Sequence, residues 1–256
     1  MTENFQPRFG HVAEEFQRYR PDYPPELYQR ILAKVPEQNR ARAMDLGAGT
    51  GMVTGHLIPH FREVISVEPD AQMAAKIAER FPQAVIRIVP AEECRQAPGS
   101  VDLVTIANAL HWMDAERVFG NAHEWLREDA TLAVFDRPLP KTGPEVDAVT
   151  RAEFRGPWKP FRDPLLSRNL TYRAQLEAAP GFRIVEETKI PNTVPMRAEE
   201  FAGFWRSTSY GSAFARGLPD PESYWASLES RFRAAAGDDK IHVEFIHSLI
   251  LAQRIQ

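Results

Sequence analysis

Small and acidic residues concentrate at Asp45-Leu46-Gly47-Ala48-Gly49-Thr50-Gly51. Glycine at three alternate positions lets the backbone approach a ligand closely, with no side chain in between. Further carboxylates, Glu68 and Glu92, stand where apolar, β-branched runs end. A carboxylate there accepts hydrogen bonds and attracts cations, and it repels phosphate. Later, Asn108-Ala109-Leu110-His111-Trp112 follows another apolar run. His111 is the evident group in this stretch whose ordinary pKa suits proton transfer near neutrality.

These residues need elements to position them. Tandem prolines open a predicted helix over 24–35, with Leu27, Ile31 and Val35 on one face. A short strand, ARAMDL, enters the glycine loop, and helical spacing follows at Val53, Leu57 and Phe61. Strands are predicted over 63–68, 84–89, 101–108 and 131–136. Between them come helices capped by Asp70 and by Asp114. Such alternation builds a parallel sheet with helices on both faces, and ligands then sit beyond the carboxyl ends of the strands. After Asp136 the pattern breaks: 138–164 reads as proline-rich and irregular, 182–190 as a strand, and 196–236 as helical with a second start at Asp220-Pro221. HVEFIHSLILAQRI reads as the last strand. The expectation is one domain over 1–256, with the irregular parts forming a cap.

Composition excludes several classes. The chain has 256 residues, 43% hydrophobic and 26% charged, so wholesale disorder is out. A net charge of −4 without a basic cluster argues against nucleic acid as partner. Cys94 is the only cysteine, which rules out a disulfide framework and a cysteine zinc site. His56 and His60 have helical spacing but no ligating Glu, and Pro59 disturbs the turn, so no metal is expected. No stretch of about 18 apolar residues or apolar leader core is present, and the expectation is a cytoplasmic chain without a membrane span.

The ligand class follows from two details. A dinucleotide loop wants Gly-x-Gly-x-x-Gly, and its last position here is Met52. Carboxylates near the loop would repel a pyrophosphate. They suit S-adenosylmethionine, which carries a sulfonium, an ammonium and ribose hydroxyls but no phosphate. The loop resembles motif I of the class I S-adenosylmethionine-dependent methyltransferases. VISVEPDAQM resembles their second motif, and VDLVTIANALHWMD their motif IV. The segment from Phe9 to Pro24, with Tyr19-Arg20-Pro21-Asp22-Tyr23, resembles the subgroup of trans-aconitate and ubiquinone-biosynthesis-like enzymes. That resemblance implies an α/β, Rossmann-like, doubly wound seven-stranded sheet with the last strand antiparallel. A helical lid over 1–30 and cap insertions over 138–178 and 192–240 go with it.

The resemblance also implies a cofactor site. Gly47, Ala48, Gly49 and Gly51 would approach the cofactor, and Glu68 would grip both ribose hydroxyls, with Pro69 and Met73 beside it. Ala91 and Glu92 would hold adenine, and Asn108 and Ala109 would lie near the methyl. Asp45 would order water around the ammonium or simply cap the following helix. Tyr19 and Arg20 would face the methionine carboxylate, the alternative for Arg20 being a surface ion pair. One departure stands out: Glu128-Asp129-Ala130 replaces the usual glycine pair before strand five, which should alter a turn and not the chemistry.

On the acceptor side the candidates are His111, Trp112, Trp205, Arg206 and Tyr210. The dense late aromatics serve either as cap core or as a pocket for the acceptor. Transfer from a sulfonium is an in-line displacement that mainly needs alignment and exclusion of water. A base is required only when the acceptor must lose a proton, so His111 is either the catalytic base or a pocket-lining group. The expected function is methylation of a small molecule, most simply on oxygen, by a monomer or homodimer. The alternative is a cofactor-bound protein of this fold that transfers nothing.

Overall fold

The computed structural model describes residues 9–161, 171–237 and 240–255. Parts of the expected lid (1–8) and of the first cap insertion (162–170) lie outside the described residues. The sheet has the order β3-β2-β1-β4-β5-β7-β6, from β1 (Arg42–Leu46), β2 (Glu63–Val67), β3 (Val85–Arg87), β4 (Val101–Ala107), β5 (Leu126–Asp136), β6 (Phe182–Arg197) and β7 (Lys240–Arg254). The first five pair in parallel, and β7 runs antiparallel to both neighbours. Strand order reverses between β1 and β4, opening the crevice above the glycine loop.

Both faces of β1, β2, β4 and β5 are buried, as near-continuous apolar strands require, while the edge strand β3 is partly exposed. Val104 and Leu132 join one core layer with Phe119 and Trp125 of α5 (Ala115–Trp125). Their neighbours Leu103 and Ala133 point to the other layer. There they meet Leu27 and Ile31 of α2 (Pro25–Ala33), and Val53 and Leu57 of α3 (Met52–Leu57). Asp70, Asp114 and Asp220 accept backbone amides at the starts of α4 (Ala71–Arg80), α5 and α10 (Pro221–Ala236), as their spacing predicts.

The sheet does not stop at its carboxyl edge. β5 ends where Asp136 pairs with Ser248, yet the β6–β7 ribbon continues to the Arg197–Lys240 pair. Its overhang carries Met196, Ile241, Val243 and Phe245 into an apolar cluster beyond the strand ends. On it pack α6 (Pro144–Arg155), α8 (Ala198–Arg206), α9 (Ser209–Ala215) and α10. These helices stand where the cap is expected, held by backbone pairing beyond the carboxyl ends of the parallel strands.

Three expectations need correction. Residues 144–155 are helical (α6), not irregular. Inward positions Val146, Thr150 and Glu153 include two polar residues, so the apolar period is hidden. Buried Glu153 accepts from Tyr224 and pairs with Arg231 at 2.7 Å. β6 runs on past 190, because Pro191 and Pro195 are tolerated on the outermost strand. The helix after the loop stops at Leu57, since Pro59 cannot continue it. Among the described residues, no helix is long and apolar enough to cross a membrane.

Within β5, where the ladder to β4 is irregular, exposed Asp129 takes φ 59°, the conformation a glycine would hold at less cost. A left-handed non-glycine costs about 1–2 kcal/mol, and glycine's extra freedom when unfolded offsets part of it. Asp129→Gly is therefore expected to stabilise the chain by about 0.5–1 kcal/mol, read as a higher urea midpoint at unchanged m. A lower midpoint would show that the Asp129 side chain itself braces the turn.

Candidate functional site

The loop is pinned to the end of β2 by its own backbone. The amides of Gly47 and Ala48 both donate to the Val67 carbonyl, at 2.8 and 3.1 Å. Gly47 has φ 69°, and a Cβ there would lie 2.5 Å from that of Ala109, so only glycine fits. Glu68, 7% exposed, offers one oxygen to Gly49 N–H (2.8 Å) and the other to Asp70 N–H (3.0 Å). Burial pushes its carboxyl up to about 7 against the pull of these amides. No cation among the described residues pairs with it. A buried carboxylate with one amide per oxygen keeps lone pairs for a ligand that brings hydroxyl donors, as a ribose does.

Asp45 lies under the loop, 1% exposed, where Thr54 of α3 (2.8 Å) and Thr105 of β4 (3.0 Å) donate to it. Burial raises it to about 6 despite those hydroxyls. It ties the loop's helix to the neighbouring strand. Pro69 is half-buried between Glu68 and Asp70, and Met73 is buried in α4. The Ala91–Glu92 loop is fixed from above: Asn121 Nδ2 donates to the Ala91 and Glu92 carbonyls (3.4 and 3.1 Å). Glu92 accepts from the Asp114 amide at 2.7 Å.

Helix α1 (Ala13–Tyr19) lies across this edge. Gly10 N–H donates to Asp70 at 2.8 Å, Phe9 meets Trp112 edge-on at 6.0 Å, and Phe16 faces Gly49. The other end of α1 is bolted to the cap. The Tyr19 ring lies against Gly203, Arg18 pairs with Glu199 (3.1 Å), and Arg206 pairs with Glu15 (3.2 Å) and Glu222 (2.7 Å). Arg20 lies between the Phe16 and Phe204 rings and donates to Ser207 Oγ and O, at 2.8 and 3.1 Å. Trp205 is 1% exposed in the aromatic cap core with Trp158 and Phe201, and Tyr210 packs beside it. The structure thus brings the loop, Glu68, Ala91, Asn108 and Ala109 to one edge. Tyr19, Trp205 and Arg206 stand in the lid–cap contact and the cap core.

At the ends of β4 and β5, Asn108 takes φ 52°, a strained conformation. Its amide donates to Phe135 O at 2.8 Å. The half-buried His111 directs Nδ1 to the Tyr172 hydroxyl of α7 (Tyr172–Glu177) at 2.8 Å. Burial holds that phenol well above the usual tyrosine range, while the His111 backbone amide works against it. Asp136 accepts from Ser248 Oγ, and burial raises its carboxyl. Sequence reasoning missed Asp136, Arg137, Tyr172 and Asn121. The first two were within its reach, as the residues that end a strand at the ligand edge. Tyr172 and Asn121 arrive from distant helices with no local signal.

Residues 44–132 match a family model described as a methyltransferase domain. A Dictyostelium discoideum protein named as a methyltransferase is 28% identical over 98% of this chain and 96% of its own length. The trans-aconitate 2-methyltransferase of Deinococcus radiodurans is 34% identical over 108 residues, 41% of each chain. A solved structure from Anaeromyxobacter dehalogenans, described as a type II methyltransferase, superposes with a TM-score of 0.69 at 26% identity, over 93% of this chain and 99% of that one. The family match falls on the half that carries the glycine loop and Glu68, and the structural likeness extends through the antiparallel ribbon. The chain thus carries a methyltransferase domain over residues 44–132 and has the seven-stranded fold of the class I S-adenosylmethionine-dependent methyltransferases.

Proposed function

We propose that the chain methylates an oxygen of a small organic acid. Glu68 would hold the ribose hydroxyls and Ala91–Glu92 the adenine. Gly47, Ala48, Gly49 and Gly51 would flank the cofactor, with Asn108 and Ala109 nearest the sulfur. When bound, the cofactor supplies a methyl group on a positive sulfur, ready for in-line displacement. The protein's part is alignment and exclusion of water by lid and cap.

The observation that carries the choice of acceptor is the Tyr172–His111 hydrogen bond. Tyr172 keeps its proton, and its oxygen is faced by the His111 backbone amide. On this reading the phenol donates to Nδ1, and the imidazole proton then sits on Nε2. In that tautomer His111 is a donor toward the acceptor, not a base. A carboxylate acceptor suits this arrangement, because it needs no proton removed and welcomes a hydrogen-bond donor. The net charge of −4 and the carboxylates at the strand ends favour small acceptors over nucleic acid.

The test is transfer of labelled methyl from S-adenosylmethionine to a panel of carboxylic acids, phenols and amines, with trans-aconitate among the acids. Label should appear as alkali-labile ester. Alkali-stable product confined to phenols or amines would overturn the reading.

His111→Ala should raise the acceptor KM about tenfold or more, the loss of a hydrogen bond to a charged group. The pH profile should show no dependence on imidazole. A turnover loss of about 100-fold or more, together with disappearance of a rise through imidazole's range, would make His111 the base after all.

Glu68 gives a pH signature. Its folded pKa is raised from 4.5 to about 7, so the empty protein loses stability as pH climbs from the unfolded value towards 7. A ribose would favour the carboxylate, so S-adenosylhomocysteine should bind more tightly as pH rises through about 7. In Glu68→Gln that slope should vanish and affinity should fall roughly 10- to 100-fold. Unchanged affinity and slope would place the ribose elsewhere.

A further inference from the structure

An imidazole and a guanidinium nitrogen are left without partners where the parallel sheet ends. The pairing of β5 with β7 closes at Asp136–Ser248, and His247 is the next residue of β7 beyond it. Its side chain is fully buried, and neither ring nitrogen completes a hydrogen bond among the described residues. Arg137 follows the last residue of β5, and its Nε is also buried and unpartnered among the described residues. Both groups lie against the same two rings. The His247 ring stands 5.3 Å from that of Tyr23 and 6.0 Å from that of Phe245, and the Arg137 guanidinium stands 4.8 and 5.4 Å from them. Tyr23 comes from the segment after the lid helix, and Phe245 from the overhanging ribbon. The Arg137 backbone amide donates to Asn108 Oδ1 at 3.4 Å, which ties this place to the end of β4.

What these groups lack defines what they can take. Arg137 spends Nη2 on the Pro21 carbonyl and lies 3.9 Å from Met52 Sδ, which leaves Nε–H as a donor. Burial, seconded by Arg137, pulls the His247 imidazole down to about 4. Near neutrality the ring therefore carries one N–H and one lone pair. The Asp136 backbone favours a proton on the side of the ring that faces it, without completing a hydrogen bond. The other nitrogen is then an acceptor. A carboxylate would satisfy Arg137 but meet that lone pair. An ammonium would satisfy the lone pair but be repelled by Arg137. A hydroxyl serves both, since it accepts from Nε–H and donates to the imidazole nitrogen. Leaving two buried polar groups unpartnered is costly, and packing alone gives no reason for them, because an apolar ring would fill the place of His247 without that cost.

We propose that Arg137 and His247 form a hydroxyl-recognising subsite for the acceptor, which is accordingly a hydroxy acid. This deepens the reading of the chain as an acid methyltransferase and rests on it. The subsite recognises the hydroxyl and does not activate it: an imidazole that stays neutral down to about pH 4 is too weak a base to take an alcohol's proton. His247 and Arg137 are thus specificity-determining groups. A site built to hydrogen-bond a hydroxyl rejects the analogue that lacks it, because its own polar groups are then left unpaired.

Calorimetry on the full chain saturated with S-adenosylhomocysteine reads the subsite through probes that differ by one hydroxyl. The pairs are malate and succinate, citrate and tricarballylate, and the neutral diamides malamide and succinamide. In at least one pair the hydroxylated member should bind roughly tenfold more tightly or better. His247→Phe keeps the ring contacts and removes both nitrogens. It should abolish that preference, leave the affinity for S-adenosylhomocysteine unchanged, and hold or raise the urea midpoint, because a buried polar group without a partner is gone. Where the larger Phe does not fold, His247→Leu carries the same expectation for the preference. Arg137→Lys keeps the charge, replaces Nε–H by a methylene, and should abolish the preference too. A wild type that separates no pair would overturn the subsite. So would a His247 variant that keeps the preference, since the two groups would then enclose an internal water and nothing of the acceptor. The acid reading fails in a different way: a preference confined to the diamides, with no ester formed from any acid, would sink that reading and leave the hydroxyl subsite standing.

Discussion

Glu68 offers both carboxylate oxygens to backbone amides, one from Gly49 in the loop and one from Asp70 at the start of α4. Asp70 in turn accepts from Gly10 ahead of the lid helix. The ligand edge therefore hangs on one buried carboxyl group that burial already disfavours in its charged form. Glu68 is held by two neutral amides, and among the described residues no cation pairs with it. Hydroxyl donors from a ribose would supply what is missing and would reinforce the connection from loop to lid. The glycine loop, Glu68, Asp70 and Gly10 ahead of α1 thus form one hydrogen-bonded chain.

The acceptor side depends on a different device. An antiparallel ribbon longer than the sheet it joins must project past one edge, and here it projects past the carboxyl ends of the parallel strands. Backbone pairing makes the projection stiff, and its apolar face demands cover, which α6, α8, α9 and α10 provide. The lid then closes on the cap through Tyr19, Arg18 and the Arg206–Glu15 pair. The Arg18–Glu199 pair is exposed and contributes little to stability. The packing of Tyr19 on Gly203 does more to register α1 against α8.

The parallel half was legible because its signals are local. Glycine spacing, β-branched runs and Asp caps each act within a few residues, and the strands and caps appear where those signals put them. Asp45 shows the limit. Its place before the glycines suggested a ligand role or a helix cap, but two threonines from separate elements converge on it, and their partner cannot be read from spacing. The same holds for α6, whose inward Glu153 is compensated by Tyr224 and Arg231 from α10, and for β6, whose prolines look like breaks until the strand is known to be outermost. Tyr172 and His247 were invisible for the same reason: each matters through a neighbour that only the fold supplies.

Arg20 and Arg137 tie α1, α8 and the sheet edge together. Arg20 sits at the end of the lid helix and reaches Ser207 at the end of α8, so it belongs to lid and cap at once. Arg137 sits at the sheet edge and holds the Pro21 carbonyl, one residue beyond Arg20. Both guanidinium groups are buried, and burial disfavours their charge, so these contacts between α1, α8 and the sheet edge are made against a desolvation cost that the aromatic rings and carbonyl partners offset in part.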